Sequence, residues 1–167
     1  MKFTVAILVN NQFGVLNRVT SMFRRRQFNI TSLTVSETES EEFSRITIQS
    51  EGDEIKKQQL INQLYKLPDI VSVAELSTEE TVNRELLLIK MHNSPDTRDD
   101  VRSAIDAFEG KIVDYTKESL VIQMVGDSRK IDNFITLMKE FGIMEICRTG
   151  VVSLQRGAST IRKVTNF

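Results

Sequence analysis

Apolar and polar positions alternate in a way that divides the chain into short, well-marked elements. Phe3-Thr4-Val5-Ala6-Ile7-Leu8-Val9 is rich in β-favouring residues and stops at the turn-forming run Asn10-Asn11-Gln12-Phe13-Gly14. Val15, Leu16, Val19, Met22 and Phe23 then fall at helical spacing, with Arg18 and Arg24-Arg25-Arg26 on the other side. Basic residues at that end suit the helix macrodipole. Phe28, Ile30, Leu33 and Val35 sit among Thr and Ser as a second strand, and Glu37 to Glu42 form an acidic hairpin loop. Phe43 to Ile48 read as a third strand. After Gly52-Asp53 a helix carries Ile55, Leu60, Ile61 and Leu64 and ends at Leu67-Pro68-Asp69. Ile70, Val71, Val73 and Leu76 make a fourth strand. The predicted order is βαββαβ.

Ser77 to Asn83 is a polar connector, and the pattern then starts again. Glu85 to Met91 is a strand, followed by a turn at Asn93-Ser94-Pro95-Asp96 and a helix marked by Val101, Ile105 and Phe108 that closes near Gly110. Two strands, Lys111 to Thr116 and Leu120 to Val125, lead to a helix opened by Gly126-Asp127. That helix carries Ile131, Phe134, Ile135 and Met138, with Gly142 as its C′ residue. Ile143 to Cys147 is the last strand, which Val151 to Leu154 either extend or follow. The halves can be superposed: Ile46 to Asp53 matches Leu120 to Asp127, and Leu60, Ile61 and Leu64 fall on Phe134, Ile135 and Met138.

The predicted fold is therefore α+β: two ferredoxin-like βαββαβ units, each a four-stranded antiparallel sheet with two helices on one face. The expected spans are 1–77 and 84–157, followed by a tail at 158–167. Units this small have marginal cores, so an uncovered sheet face or edge should seek a partner, and a homodimer is expected.

Composition narrows the function classes. The chain has 167 residues, 40% hydrophobic and 27% charged, with Lys+Arg 22 against Asp+Glu 23. That balance argues against binding that depends on neutralising many phosphates. One Cys and one His exclude an internal disulfide framework and a His-rich metal site. The apolar opening, Val5 to Val9, is too short for a signal segment or a membrane span, so a soluble, cytoplasmic protein without membrane contact is expected. No catalytic constellation stands out. His92 reads as a turn-side histidine and Cys147 as a buried, inert thiol. There is no GxGxxG, P-loop or Gly-x-Ser-x-Gly element.

Binding chemistry is better represented. The turn from Asn10 to Gly14 delivers the chain into a helix N-terminus, where the N–H groups of Gly14, Val15 and Leu16 form a small anion site suited to a carboxylate. Gly14 permits close approach, and the Asn11 amide can both donate and accept, as an amino acid requires. Asn29 opens the second strand beside Ile30. The same residues also suffice to make a turn, with Asn29 closing the first helix. Arg24-Arg25-Arg26 raises the question of RNA, since RNA-recognition modules share the βαββαβ order. The aromatic stacking platform of those modules is missing from the central strands, where Ile46, Thr47 and Ile48 stand instead.

Ile7 to Val19, read with Phe23 to Val35, resembles an ACT regulatory domain, and specifically the N-terminal domain of the small, regulatory subunits of acetolactate synthase (acetohydroxyacid synthase). Ser44-Arg45-Ile46-Thr47-Ile48, Gln63 to Leu67 and Arg84-Glu85-Leu86 follow that family. Glu145 to Val152 with Arg156-Gly157 resembles its closing motif. Two positions depart from the family: Phe13 stands where Pro is usual, and Gln27 where Gly is usual. A left-handed turn at Gln27 costs about 1 kcal/mol more than at glycine, or the turn takes another geometry.

The resemblance implies a noncatalytic partner of a large catalytic subunit that holds thiamine diphosphate, magnesium and flavin (FAD), with no cofactor in this chain. It implies that valine, or another branched-chain amino acid, binds where two N-terminal domains pair. The effector residues carried over are Asn11, Gly14, Asn29 and Ile30, joined by Val15 and Leu16 from the loop reading. The acidic loop and the second domain are the expected contacts with the large subunit. Two alternatives are a stand-alone amino-acid-sensing ACT protein and a ferredoxin-like RNA-binding module.

Overall fold

Both predicted repeats are present. The computed structural model describes residues 1–163. Its first part contains β1 (Lys2–Asn10), α1 (Val15–Arg25), β2 (Ile30–Glu37), β3 (Phe43–Glu51), α2 (Glu54–Leu64) and β4 (Ile70–Leu76), with strand order β2-β3-β1-β4. The second contains β5 (Thr81–His92), α3 (Arg98–Ala107), β6 (Lys111–Tyr115), β7 (Ser119–Gly126), α4 (Ser128–Met138) and β8 (Ile143–Arg148), in the order β6-β7-β5-β8. These orders are the same, and the pairings within each are antiparallel. A short strand, β9 (Val152–Gln155), follows β8 as a separate element. Of the expected tail, residues 164–167 lie outside the described residues.

The equivalence of the repeats extends to the start of each second helix. Asp53 caps α2 by accepting from the Lys56 N–H at 2.8 Å, and Asp127 caps α4 by accepting from the Lys130 N–H at 2.8 Å. The preceding glycines leave room for these lysines: a Cβ on Gly52 would come within 2.9 Å of the Lys56 Cβ, and one on Gly126 within 3.0 Å of the Lys130 side chain, which would have to give way slightly.

In the first unit, alternate residues of β1 (Phe3, Val5, Ile7 and Val9) face α1 and α2, packing on Val19, Met22, Phe23, Leu60 and Leu64. The intervening residues are buried as well. Ala6 and Leu8 join Ala74, Leu76 and Ile161 in a second cluster on the helix-free face. Burial on both faces explains why β1 is an unbroken apolar run rather than an alternating one.

The helix-free face is covered by the chain's own C-terminal segment. Val151 N–H donates to the Ser32 hydroxyl at 3.1 Å, and Ser72 donates to the Ile161 carbonyl at 2.8 Å. Arg162 pairs with Glu39 at 2.9 Å and lies over the Phe43 ring. The second compact unit accordingly runs Asn83–Gly150, and the described residues 151–163 belong with the first. This differs from the expected spans 84–157 and 158–167, because the pattern of Val151 to Leu154 does not reveal which sheet it packs against.

The second unit has its own core. Leu87, Ile89, Met91, Ile122 and Met124 pack on Val101, Ile105, Ile131, Phe134 and Met138. The motifs that carry the resemblance have a structural role here. Glu85, 3% exposed, accepts from the Ser128 hydroxyl and from Arg148 Nε, while Arg148 reaches Asp132 at 2.7 Å. Burial works against the Arg148 charge, yet these hydrogen bonds outweigh it and raise the pKa above its ordinary value. Thr149 exchanges two hydrogen bonds with the Leu86 backbone, each 3.1 Å. Arg84-Glu85-Leu86 and Arg148-Thr149-Gly150 are thus two halves of one clasp.

One expectation is corrected here. Cys147 is exposed, not buried. It pairs with Leu88, which is itself exposed on the helix-free side of the sheet, so an apolar run on an edge strand did not mean burial. His92 is exposed at the end of β5, as expected.

Candidate functional site

The loop between β1 and α1 is fixed from three directions. Asn10 N–H donates to the Asp69 carbonyl at 2.9 Å, Asn11 N–H to Glu42 at 2.8 Å, and Gln12 N–H to Asn10 at 2.9 Å. Gly14 then occupies the N-cap of α1 with φ 81°, a left-handed conformation, and no side chain caps the helix. Val15 N–H reaches back to Gln12 at 3.4 Å. The N–H groups of Leu16 and Asn17 belong to the first turn, which has no intrahelical acceptors, at the positive end of the helix dipole.

Arg18 adds a full charge to this end. Its Nε donates to Asp69 Oδ2 at 2.6 Å, and its Nη1 lies 3.4 Å from where a Cβ on Gly14 would stand. The Asp69 side chain is 12% exposed and that of Arg18 45%, so the carboxylate anchors the guanidinium from beneath. The sequence alone points to neither residue. They are 51 positions apart, and Arg18 reads as an ordinary solvated helix residue.

The predicted residues divide into two groups. Asn11, Gly14, Val15 and Leu16 are together at the start of α1. Val15 is buried, and Leu16 is 40% exposed beside the fully exposed Phe13. The Asn11 amide is engaged within the chain: it donates to Glu37 Oε1 at 3.2 Å and the Glu41 carbonyl at 3.0 Å, and accepts from Ser44 at 3.0 Å. Asn29 and Ile30 lie at the other end of the sheet. Asn10 is opposite Phe43 in β3 while Ile30 is opposite Ser50, a separation of roughly 23 Å along the strand. The exposed Asn29 accepts from the Ser50 hydroxyl at 2.6 Å through its carbonyl. One chain therefore does not bring the two groups together.

Gln27 keeps the left-handed turn, with φ 58°. Its N–H donates to Arg24 and the Phe28 N–H to Phe23, the paired bonds of a Schellman ending. The Phe23 and Phe28 rings meet edge-on at 6.1 Å, supplying the apolar contact of that motif. Glu109 ends α3 in the same way at φ 59°, one residue before the expected Gly110.

A family model described as an AHAS small subunit-like ACT domain matches residues 5–72, and one described as small subunit of acetolactate synthase matches 84–157. A probable acetolactate synthase small subunit of Archaeoglobus fulgidus is 46% identical, over 94% of this chain and 98% of its own. The chain belongs to the acetolactate synthase small-subunit family. The acetolactate synthase small subunit of Bacillus subtilis is 41% identical over 94% of this chain and 92% of its own. The crystal structure of the small subunit from Thermotoga maritima is similar throughout, with a TM-score of 0.87, 35% identity, and coverage of 95% of this chain and 99% of that one.

The ACT match spans β1 to β4 up to Ser72 and so contains every predicted effector residue together with Arg18 and Asp69. Among the described residues, no helix is long and apolar enough to cross a membrane. No group of three or more His, Cys, Asp or Glu among them could hold a metal ion.

Proposed function

We propose that this regulatory subunit raises the activity of a large acetolactate synthase subunit and makes it sensitive to valine bound at the ACT unit. The observation that carries the reading is the start of α1: first-turn N–H groups opened by Gly14, with the Arg18 guanidinium held beside them by Asp69. A carboxylate placed there meets a helix N-terminus and a cation at once.

The ammonium and isopropyl groups of valine need the other set of residues. A two-fold dimer with the ACT sheets side by side sets the Asn11–Leu16 loop of one chain against Asn29 and Ile30 of its partner, which overcomes the separation within each chain. Ligand at both copies of such a site biases the geometry of the pair, which is the differential binding that allostery requires. Asn11 connects the loop to Glu37, Glu41 and Ser44, so a shift at the site is passed to the acidic hairpin, the proposed contact with the large subunit. Thiamine diphosphate, magnesium and FAD belong to that partner, and the complex works in the cytoplasm.

The RNA-binding alternative is disfavoured by the fold. The face of β1 and β3 that would stack bases carries the buried Ala6, Leu8 and Thr47 beneath the C-terminal segment.

Reconstitution tests the proposal. Addition of the chain to its large subunit should raise acetolactate formation, and valine should reverse that gain. Asn29→Ala should keep the activation and lose the valine effect. Valine binding with no change in large-subunit activity would assign the chain to another partner as an amino-acid sensor.

A further inference from the structure

A cavity of about 310 Å³ opens on the helix-free side of the first unit, between the β2–β3 hairpin and the C-terminal segment. That is at the small end of ligand pockets, about 300–1,000 Å³. The buried Leu8 and Ile161 form its apolar part, and Ser36 and Thr160 add hydroxyls.

The charges around it differ in their partners. Glu39 is paired with Arg162, and Glu37 accepts from the Asn11 amide. Arg45 donates from Nη2 to the Ser153 carbonyl at 2.7 Å, a neutral acceptor, and no carboxylate pairs with it among the described residues. Burial alone pulls its pKa below the ordinary arginine value. A guanidinium has five N–H donors, and a desolvated one without a counter-charge gains most from an anion that takes two of them.

We infer that this cavity is a second ligand site, taking a small aliphatic carboxylate with its acid group on Arg45 and its apolar part on Leu8 and Ile161. Such a ligand bridges the hairpin and the C-terminal segment. Its occupancy therefore holds that segment on the sheet, independently of the site at α1. An amino acid and a simple carboxylic acid share this chemistry.

The test is a titration of the full, ¹⁵N-labelled chain with isovalerate, valine and isovaleramide, followed amide by amide. Isovalerate should shift the signals of Ser36, Leu154, Thr160 and Ile161 to saturation, while isovaleramide, which has the shape without the charge, should not. Arg45→Gln should weaken isovalerate by about tenfold or more. Because Arg45 also holds Ser153, Leu154→Trp gives a second variant: Leu154 is 61% exposed at the cavity wall, and a larger ring there fills the space with Arg45 in place. It should abolish the same shifts.

Valine shifting the same signals identifies an amino-acid ligand; isovalerate alone doing so identifies an acid without an ammonium. Leu16 and Asn17 report the α1 site separately, so the two sites succeed or fail independently. No saturable shift by either acid at millimolar concentration, an equal response to isovaleramide, or unchanged isovalerate affinity in both variants overturns the inference.

Discussion

Removing Arg18 tests the proposed effector site and its support together. In Arg18→Gln the Asp69 carboxylate, 12% exposed, loses its cation. Exposed ion pairs contribute about 0–1 kcal/mol and breaking a buried one costs about 3–5 kcal/mol. With one partner buried and the other 45% exposed, a loss near 2 kcal/mol is expected for Arg18→Gln. Asp69→Asn keeps an acceptor for Arg18 and should cost less, about 1 kcal/mol. The double variant leaves no stranded charge, so its loss should be smaller than the sum by about 1–2 kcal/mol.

Valine affinity should follow the guanidinium rather than the stability. A hydrogen bond to a charged group is worth about 1.5–3 kcal/mol, so Arg18→Gln should weaken valine by roughly 10- to 150-fold. Asp69→Asn, which retains the cation and loosens its anchor, should weaken it only a few-fold. Urea unfolding and calorimetric titration of the three variants supply both readouts. Unchanged valine affinity in Arg18→Gln would remove the guanidinium from the site. Strictly additive stabilities would show that Arg18 and Asp69 are not coupled.

Three further changes probe the framework. Glu85→Gln leaves Arg148 without its buried carboxylate and should destabilise the chain by about 3 kcal/mol in urea unfolding; a loss under about 0.5 kcal/mol would contradict the clasp between the two motifs. Gln27→Gly relieves a left-handed φ at about 1–2 kcal/mol while adding about 0.5–1 kcal/mol of unfolded-state freedom, so the urea midpoint should rise modestly, and a fall would count against strain at that turn. Hydrogen bonds to Glu54 and then Glu75 raise the Lys57 pKa. Its contribution is therefore complete below the ordinary lysine value of 10.5 and is lost as pH rises through the raised one. The stability of Lys57→Met should fall less steeply over that alkaline range than that of the unaltered chain; parallel profiles would contradict the assignment.

The fold was legible because both repeats announce themselves locally. Gly-Asp before α2 and α4, the Asn10–Gly14 turn and the 3.6-residue spacing of Val15, Val19, Met22 and Phe23 each specify their own neighbourhood. What escaped depends on residues distant in sequence. The pairing of Arg18 with Asp69 and the return of residues 151–162 onto β1 are tertiary events, and neither leaves a periodic trace. Cys147 shows a related limit: an apolar run does not say whether its strand lies at a sheet edge, where its residues stay exposed. Gln27 shows the converse, a local rule set aside because the Phe23–Phe28 contact and two hydrogen bonds stabilise the turn without glycine.

The central claim is that valine binds at the start of α1 against Asn29 of a second copy. Calorimetric titration of the full chain with valine, repeated on Asn29→Ala, tests it most directly. Saturable binding of one valine per chain, two per dimer, abolished in the variant, is the predicted result. No binding to the unaltered chain, or equal binding to both, would contradict it.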